Sequence, residues 1–547
     1  MTAAAMVRGR IVTLAGDRGL GWVEAIAIEG GRVVAVGGDA DVDPLQGPAT
    51  RSIELGPDEV AVPGLTDAHL HLAECGQNAD RVDLSDASTL VDALARIADA
   101  NARLPGGAWL QGHGWAPDRW DGWPGADDLS AAAPGRRIAL WAHDHHSLWA
   151  SHAAMRAAGI DRETTAPAGG VIRRLADGSP SGILHENASR LVTGIISPAT
   201  ADLLARGITR VAADLLALGV VAVHDPGSLS LQQGIGPAID AYRLLAERGE
   251  LPVRVHACIR DEQLDAAVAA GLRSGDRIGP HDGRASFGWL KLFADGTLGS
   301  RTAALEEPIE ADPDRPLPSG TERGVWITEP DELTDLAARA AQNGIATAIH
   351  AIGDRAVGAS LDALKGTSGA ARLLPRIEHV QLLNPDDRPR FVRSGIAASV
   401  QPIHLRADAA IARHSWGDRA EAHGYPLASL LESGAVVAFG TDAPVEALDP
   451  WPGLELAITR RSATWAAAVP AFGAREALTL DQALRAACVA GPIMAGEPDR
   501  GRLTPGQRAD LVVIPSTALD EPVEVGGPLG RARPRLVLVD GEVAFES

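Results

Sequence analysis

The stretch Ala61–Leu72, AVPGLTDAHLHL, combines a short apolar run, a Pro-Gly turn signal, an acid and two histidines at His-x-His spacing. Side chains two positions apart on a β-strand point to the same side of it. His69 and His71 can therefore present two imidazoles to one ion, and imidazole is a preferred ligand of zinc and its first-row neighbours. An isolated His-x-His pair is more often structural, so a metal site here requires ligands from elsewhere in the chain.

The composition restricts the class of protein. A length of 547 residues predicts one large domain with appendages, or roughly two to three domains. The formal net charge of −21 disfavours nucleic acid and anionic membranes as partners. Cys75, Cys258 and Cys488 are too few and too far apart to predict a disulfide framework or a cysteine-rich zinc site. With no long apolar segment in the sequence, we expect a cytoplasmic protein without a membrane segment.

Both ends of the chain are rich in short β-type runs separated by Gly and Asp turns. Neither residues 1–60 nor residues 491–547 contain enough strands to bury a core alone. We therefore expect the two ends to contribute the two parts of one small composite β-sandwich.

Between the ends, strand-like runs alternate with Ala- and Leu-rich helical patterns. The runs are Val62–His69, Val220–His224, Val253–Cys258, Phe287–Phe293, Ala346–His350, Arg376–His379, Ala397–Gln401 and Val436–Gly440. The helical patterns include Leu203–Leu218, Ala238–Arg248, Glu332–Asn343 and Pro426–Ser433. This alternation predicts an α/β fold with a (β/α)8 TIM barrel over residues 61–490, whose chemistry lies at the C-terminal ends of the strands.

Residues 73–203 form a large insertion after the first barrel strand. Half of the chain's tryptophans lie in it, namely Trp109, Trp115, Trp120, Trp123, Trp141 and Trp149. An insertion at this point emerges at the active-site face, which favours a lid or pocket wall around an apolar or aromatic part of a substrate. An equally weighted interpretation is that these tryptophans form the insertion's own core.

Metal-competent side chains lie at or near the C-terminal ends of five of the predicted strands. They are His69, His71, Lys291, His350, His379 and Asp442. Each one alone is more simply a buried histidine or a loop carboxylate, but a chance coincidence at five strand ends is improbable. Lys291 lies in an apolar run, where an unpaired charge is costly, in a chain whose only other lysine is Lys365. Its amine is either neutral and close to the metal site or converted by CO2 to a bridging carbamate.

The chain as a whole resembles the metal-dependent amidohydrolase superfamily, and within it the YtcJ-like branch that includes N-substituted formamide deformylases. The matching motifs are PGLTDAHLHL (63–72), GHGWAPDRW (112–120), HDHHSLWASHAAM (143–155), SGILHENA (181–188), LKLFADGTLGSRTAAL (290–305), AIHAIGDRAV (348–357), RIEHVQ (376–381), SVQPIH (399–404) and FGTDAPVEALDPW (439–451). They span nearly the whole chain. One departure is Asp144-His145-His146, where relatives often have Asp-Gly-His, and it affects pocket contacts rather than the metal centre.

The resemblance implies a ligand set and a mechanism. It implies that His69 and His71 bind one zinc ion beside Asp442, and that carboxylated Lys291 bridges it to a second ion held by His350 and His379. A one-metal site is a variant within the family. A metal-activated hydroxide would attack the substrate carbonyl, with Asp442 as the catalytic general base and acid. Weaker candidates for substrate binding are His113, Trp115, His146, Asp295, Arg301 and His404, for which a structural role is at least as plausible.

These expectations lead to a small-molecule hydrolase that cleaves a C–N bond other than a peptide bond, of the amide, N-formyl or N-acyl type. The same centre could hydrolyse a cyclic amide, an ester or a carbamate, because specificity resides in loops. A third interpretation is a non-catalytic metal-binding or regulatory protein, which would usually have lost a ligand. The sequence leaves room for a homodimer.

Overall fold

The computed structural model describes residues 2–78, 81–117, 120, 122–143, 146–167, 169–197, 199–227, 236–280, 283–312, 317 and 320–547. The chain divides into two compact units. The first comprises Met1–Leu72, Thr209–Gly227 and Tyr242–Ser547, and the second comprises Ala73–Ile208 and Ser228–Ala241.

The first unit contains a nearly closed parallel barrel, as the sequence predicts. Within the described residues its strands are, in sheet order, β6 (Leu65–Asp67), β13 (Val220–Asp225), β14 (Arg254–Arg260), β15 (Ala285–Phe293), β16 (Thr347–Ala351), β17 (Arg376–His379), β18 (Ala397–Val400) and β19 (Val437–Phe439). Most are buried along their whole length, because helices cover the outside of a parallel barrel while side chains fill its interior. The backbone N–H of Ala68 donates to the carbonyl of Phe439 at 2.8 Å and joins the last strand to the first.

The first predicted run, Val62–His69, is divided in the structure. Residues Glu59–Pro63 form strand β5, which pairs with the C-terminal part of the chain, and only Leu65–Asp67 belong to the barrel. The break falls at Pro63-Gly64, since proline cannot donate a ladder hydrogen bond. A Cβ atom at Gly64 would lie 2.7 Å from Cγ2 of Val221, so the chain changes sheets where it passes closest to β13.

Most helices of the first unit follow barrel strands, and the first helix of the chain lies among the strands of the N-terminal end. Their bounds are α1 (Asp39–Val42), α9 (Leu264–Ala269), α10 (Pro330–Gln342), α11 (Asp354–Ala363), α12 (Arg388–Ser394), α13 (Leu405–Trp416), α14 (Asp418–His423), α15 (Leu427–Glu432), α16 (Trp451–Thr459), α17 (Leu480–Arg485) and α18 (Gly491–Met494). Helix α10 starts with proline at its first position and buries Leu333, Ala337 and Ala340 at helical spacing. Helix α12 ends at Gly395, whose φ of 62° suits glycine.

Two further helices, α7 (Ala201–Ala217) and α8 (Pro237–Arg248), have residues in both units. Their bounds agree closely with the predicted helical patterns Leu203–Leu218 and Ala238–Arg248. No helix in the described part of the chain is both long and apolar enough to cross a bilayer.

Strands from both ends of the chain share one sheet. They are β1 (Ala5–Val12), β2 (Trp22–Glu29), β3 (Arg32–Gly37), β4 (Arg51–Glu54), β5, β20 (Leu511–Pro515), β21 (Leu536–Val539) and β22 (Glu542–Glu546). Strand β1 pairs with β4 over Ala5–Arg8 and with β5 at Ile11, after a register shift. The expected sandwich is therefore one hydrogen-bonded sheet that forks at β1, with an apolar core shared by strands of both ends.

The second unit has its own sheet, which was not predicted, and its own core, which was one of the two interpretations of the tryptophan-rich insertion. Its strands are β7 (Val82–Asp83), β8 (Leu110–Trp115), β9 (Ile138–Ala142), β10 (Ser147–Ala150), β11 (Gly170–Arg174) and β12 (Pro180–Glu186). Its helices are α2 (Leu72–Asn78), whose first residue belongs to the first unit, α3 (Leu90–Arg103), α4 (Ala126–Ala132), α5 (His152–Ala157) and α6 (Arg190–Thr193). Trp115 and Trp149 are fully buried and pack against Trp120 in one apolar cluster. These three tryptophans are core residues of the insertion.

Candidate metal centre

His69 and His71 follow the first barrel strand and reach the same point as Asp442, which follows the last. Nε2 of each histidine lies 3.4 Å from Oδ1 of Asp442. All three side chains are buried, and their ligand atoms are close enough together to hold one ion. The structure thus brings together the three residues that the sequence predicts as ligands of the first ion, at the junction of the first and last barrel strands.

The two 3.4 Å distances fit a specific coordination geometry. Zinc bound by nitrogen and oxygen at about 2.1 Å in a tetrahedron has ligand-to-ligand edges of about 3.4 Å. A hydrogen-bonded pair would be shorter, at about 2.9 Å. The spacing between His69, His71 and Asp442 therefore suits a shared cation better than direct hydrogen bonds.

The backbone at Asp442 is held in an unusual conformation. Its φ is 59°, a region that non-glycine residues rarely occupy. Its N–H donates to the carbonyl of His69 at 2.7 Å. Asp67 ties the same strands together, since its carboxylate accepts bonds from the hydroxyl and N–H of Thr441 and from the N–H of His69. These bonds fix the carboxylate of Asp442 against the two histidines.

Hydrogen bonds also fix the rings of His350 and His379, the other two histidines predicted as metal ligands. Nδ1 of His379 donates to Oε1 of Gln401 at 2.7 Å, and Nε2 of His350 donates to the carbonyl of Gly296 at 3.0 Å. Nδ1 of His71 likewise donates to the carbonyl of Gly227 at 2.8 Å. A ring nitrogen that donates outward leaves the other nitrogen with its lone pair, which is how ligating histidines are fixed in their tautomer.

Lys291 lies in the same interior on β15. It is almost completely buried, and its Nζ has no hydrogen-bond partner among the residues that the structure describes. Nζ lies 4.9 Å from the ring centre of Phe293. Burial lowers the pKa of Lys291 to about 8, so that about a tenth of the amine is neutral at pH 7. The buried amine of Lys291 is therefore a candidate for chemical modification or for contact with a bound ligand.

Electrostatics favour metal-binding protonation states for His69 and Asp442, whereas Asp442 raises the pKa of His71 although burial opposes it. Burial and the charge of Lys291 lower the pKa of His69 to about 4, which keeps its ring neutral at pH 7. Burial acts to raise the pKa of Asp442, but His69, His404 and His71 hold it well below its ordinary value. Neutral imidazoles and an ionised carboxylate are the forms that ligate cations.

His404 joins the centre through Asp442. Its Nε2–H donates to Oδ2 of Asp442 at 3.1 Å, and its Nδ1 lies 3.9 Å from a carboxylate oxygen of Glu446. Although burial opposes it, these carboxylates raise the pKa of His404 to about 10. His379, His404 and Asp442 form a second group with ligand atoms close enough for one ion. This group differs from the predicted ligand set of the second ion, which is Lys291, His350 and His379. The ring centres of His350 and His379 nevertheless lie only 4.5 Å apart.

Asp295 and Arg301 hold the loop after β15. The carboxylate of Asp295 is fully buried and accepts backbone N–H bonds from Ala304, Ile352 and Gly353. Arg301 donates to the carbonyl of Glu310 at 3.0 Å. These bonds favour the structural role over the substrate-binding role for both residues.

The candidates in the insertion lie within the second unit. His113 is buried on β8, and Nδ1 of His146 lies 2.9 Å from a carboxylate oxygen of Glu186. Trp115 is fully buried and donates its indole N–H to the carbonyl of Leu140, which favours a core role. Substrate contacts of these three residues stay predictions. Of the departing Asp144-His145-His146 motif, Asp144 and His145 lie outside the described residues.

Several supporting residues were not predicted. Glu378 accepts a 2.7 Å bond from Nδ1 of His69, Gln401 supports His379, and Asp67 joins the first and last strands. Simple strand alternation would turn Glu378 to the opposite side from its neighbour His379. In the structure His379 ends β17 with a φ of 73°, and both residues contact His69.

Comparison with known proteins places these features in context. The model of the amidohydrolase family matches residues 58–545. The putative amidohydrolase YtcJ of Bacillus subtilis is 29% identical over 503 residues, covering 91% of each chain. The N-substituted formamide deformylase of Arthrobacter pascens is 26% identical over 542 residues, covering 96% of this chain and 95% of the other. A crystal structure of an uncharacterized metal-dependent hydrolase from Pyrococcus horikoshii superposes with a TM-score of 0.74 at 25% identity, covering 93% and 97% of the two chains.

Proposed function

The chain belongs to the amidohydrolase family, and from this premise we propose that it hydrolyses a C–N bond other than a peptide bond in a small amide, N-formyl or N-acyl compound. The observation that carries the proposal is the convergence of His69, His71 and Asp442, in which Nε2 of each histidine lies 3.4 Å from Oδ1 of Asp442. The outward hydrogen bonds of the histidine rings support it, because they prepare lone pairs for a cation. The relationship to a formamide deformylase supports the substrate class.

The proposed cofactor is zinc, with about two ions per chain. His69, His71 and Asp442 would hold one ion, and Lys291, His350 and His379 the other. Reaction of the Lys291 amine with CO2 gives a carbamate and releases a proton, and the carbamate is an anion able to bridge two cations. The buried, unpartnered Nζ and its lowered pKa support this modification.

Bound zinc supplies a Lewis acid for the substrate carbonyl and lowers the pKa of water to about 7. In the proposal the carboxylate of Asp442 accepts a proton from the attacking water and returns it to the leaving nitrogen. His404 donates to Oδ2 at 3.1 Å and thereby keeps Oδ1 turned toward His69 and His71. The burial of these groups excludes bulk water and strengthens their mutual interactions.

The proposal is tested by a substrate panel. Purified protein loaded with zinc is offered N-alkyl formamides, N-acyl amines, lactams, esters and carbamates, and product formation is followed by mass spectrometry. We expect turnover of at least one acyclic amide, abolished by chelation and restored by added zinc. The wild-type protein without zinc is the control.

Other outcomes are equally informative. Turnover confined to lactams, esters or carbamates would keep the centre and replace the substrate class. Metal-loaded protein that is silent across the panel would favour the non-catalytic metal-binding interpretation. Full activity in protein shown to be metal-free would overturn the proposal.

A further inference from the structure

The two predicted ligands of the first ion and the adjacent His379 are supported differently. Nδ1 of His69 donates to a carboxylate oxygen of Glu378 at 2.7 Å. Nδ1 of His71 and Nδ1 of His379 donate instead to neutral oxygens, the carbonyl of Gly227 and the side-chain amide of Gln401. A carboxylate that accepts the imidazole N–H makes the opposite nitrogen a stronger electron donor to a cation.

The carboxylate of Glu378 forms a completely buried ion pair. Glu378 and Arg376 are both completely buried, and Nε of Arg376 lies 2.6 Å from Oε1 of Glu378. The Arg376 guanidinium and the His69 ring therefore contact the two oxygens of the Glu378 carboxylate from different sides. This buried ion pair places the carboxylate of Glu378 directly behind His69.

Arg376 is itself immobilised on two further sides. Its guanidinium lies 3.9 Å over the ring of Trp289, and Nη1 donates to Nδ1 of His224 at 2.8 Å. The pKa of His224 is lowered well below its ordinary value by burial and by Arg376, which leaves Nδ1 able to accept this bond. With the cation fixed, Glu378 has little freedom to turn away from His69.

From this arrangement we infer that Glu378 is a positioning residue that controls how tightly the centre retains its metal, acting through His69 and held in place by Arg376. The inference rests on the proposed function only in that it assumes a metal centre at these residues. It adds an asymmetry, because the ion at His69 has a charged support whereas His379 is supported by the neutral Gln401. The ion held by His379 is expected to leave first when a chelator is titrated in.

The test is metal affinity, measured by competition with a chromophoric zinc chelator. Glu378→Gln keeps the shape of the side chain and removes its charge. We expect its zinc dissociation constant at the tighter site to rise about 10–100-fold. The visible absorption spectrum of the cobalt-loaded protein is expected to change as well, because the donor strength of His69 changes.

A matched control is Glu455→Gln. Glu455 is also a buried carboxylate, on helix α16, where it accepts backbone N–H bonds from Gly526 and Gly527. This substitution removes the same charge without touching the histidines. We expect zinc affinity and the cobalt spectrum to stay at wild-type values, which separates a general effect of a lost buried charge from the effect on His69.

A folded Glu378→Gln protein with wild-type zinc affinity and cobalt spectrum would overturn the inference. Should that variant fail to fold, Glu378→Asp keeps the charge at a greater distance from His69 and is expected to weaken zinc binding measurably, and wild-type affinity there would equally overturn it. Wild-type protein that binds no zinc would overturn both this inference and the proposed function. Wild-type protein that binds zinc but hydrolyses no substrate would affect the function alone.

Discussion

The two carboxylate oxygens of Asp442 face different partners, and this division can be tested. Oδ2 accepts a bond from His404, while Oδ1 lies between His69 and His71. Asp442→Asn removes the basic group, and we expect kcat to fall by about 10²–10⁴-fold in steady-state assays. Asp449→Asn is the control, since Asp449 follows in the same motif but accepts the backbone N–H of Trp451 and pairs with Arg533. A kcat for Asp442→Asn within tenfold of the control would contradict the assigned role.

His350 and His404 distinguish the two arrangements available for a second ion. If Lys291, His350 and His379 hold it, His350→Asn lowers the metal content by about one ion per chain, whereas His404→Asn lowers turnover and keeps the metal. Plasma mass spectrometry of both variants measures this directly. The reverse pattern would assign the second ion to the group of His379, His404 and Asp442 that the geometry also brings together.

Individual side chains show where sequence reasoning succeeds and where it stops. His69, His71 and Asp442 were predictable because each follows an apolar run, and parallel strand ends meet at one edge of a barrel. Glu378 and Gln401 were not, since their roles depend on which way a ring nitrogen points. That direction is set by the positive φ of His379 and by contacts between residues such as His69 and Glu378 that are 309 positions apart.

The contact between the first and last barrel strands has no room for a side chain at Gly440. A Cβ atom there would lie 2.6 Å from the backbone nitrogen of His69 and 2.7 Å from its Cβ. Gly440→Ala is expected to push strand β19 from His69, to lower the free energy of unfolding by about 1–3 kcal/mol and to weaken zinc binding. Urea unfolding and chelator competition measure the two effects.

The matched control for this substitution is Gly453→Ala in helix α16. A Cβ at Gly453 would meet only Ile403, at an ordinary 3.6 Å, and alanine favours a helix by about 1 kcal/mol over glycine. We expect unchanged or slightly increased stability and unchanged zinc binding. Equal behaviour of the two variants would contradict the proposed strain at Gly440.

Strands and helices were largely predictable because the barrel repeats one pattern. Predicted runs such as Phe287–Phe293 and Arg376–His379 correspond to observed strands within a few residues. The run Val62–His69 was wrong as a single strand, since Pro63-Gly64 transfers the chain between two sheets. In the insertion, tryptophan content was compatible with a pocket wall or with a core, and Trp115 and Trp149 pack inside the insertion's own core.

A buried charge network ties the C-terminal part of the chain to the barrel. Arg254 on β14 pairs with Asp510 at 2.8 Å, and Arg500 pairs with Glu497 at 2.6 Å. Nε2 of His256 lies 3.6 Å from Glu497. Since removing one partner of a buried pair leaves the other charge uncompensated, these contacts make the sheet of the chain ends part of the stability of the whole unit.

Glu497→Gln tests this coupling. Although burial opposes it, His256 and Arg500 hold the pKa of Glu497 well below its ordinary value. The stabilisation that the ionised carboxylate of Glu497 contributes is therefore complete above the unfolded-state pKa of about 4.3. It is lost progressively as the pH falls below that value. Urea unfolding is expected to show a loss of about 3 kcal/mol at pH 7 and a narrowing difference from wild type below about pH 4.3.

The control for Glu497→Gln is Glu542→Gln, which changes an exposed carboxylate on strand β22. The urea midpoint of Glu542→Gln is expected to equal that of the wild type both at pH 7 and below about pH 4.3. A difference between Glu497→Gln and wild type that stays constant through the acid range would contradict the role of the ionised carboxylate.

At the scale of the complete chain, the pairing of its two ends was predictable because neither end has enough strands alone. The internal charges that join the ends to the barrel were not, since Arg254 and Asp510 are 256 positions apart and both are ordinary surface residue types. Pattern and spacing define the layers, whereas buried ion pairs depend on how those layers meet.

The central claim is that this barrel holds a metal centre on which hydrolysis depends. The most direct test measures metal content per chain by plasma mass spectrometry, and amide turnover on the same samples, during stepwise chelation of protein purified without added metal. The account predicts about two ions per chain at the start and a loss of turnover in step with the loss of metal. Protein that retains full turnover after its metal content has fallen to zero would contradict the account.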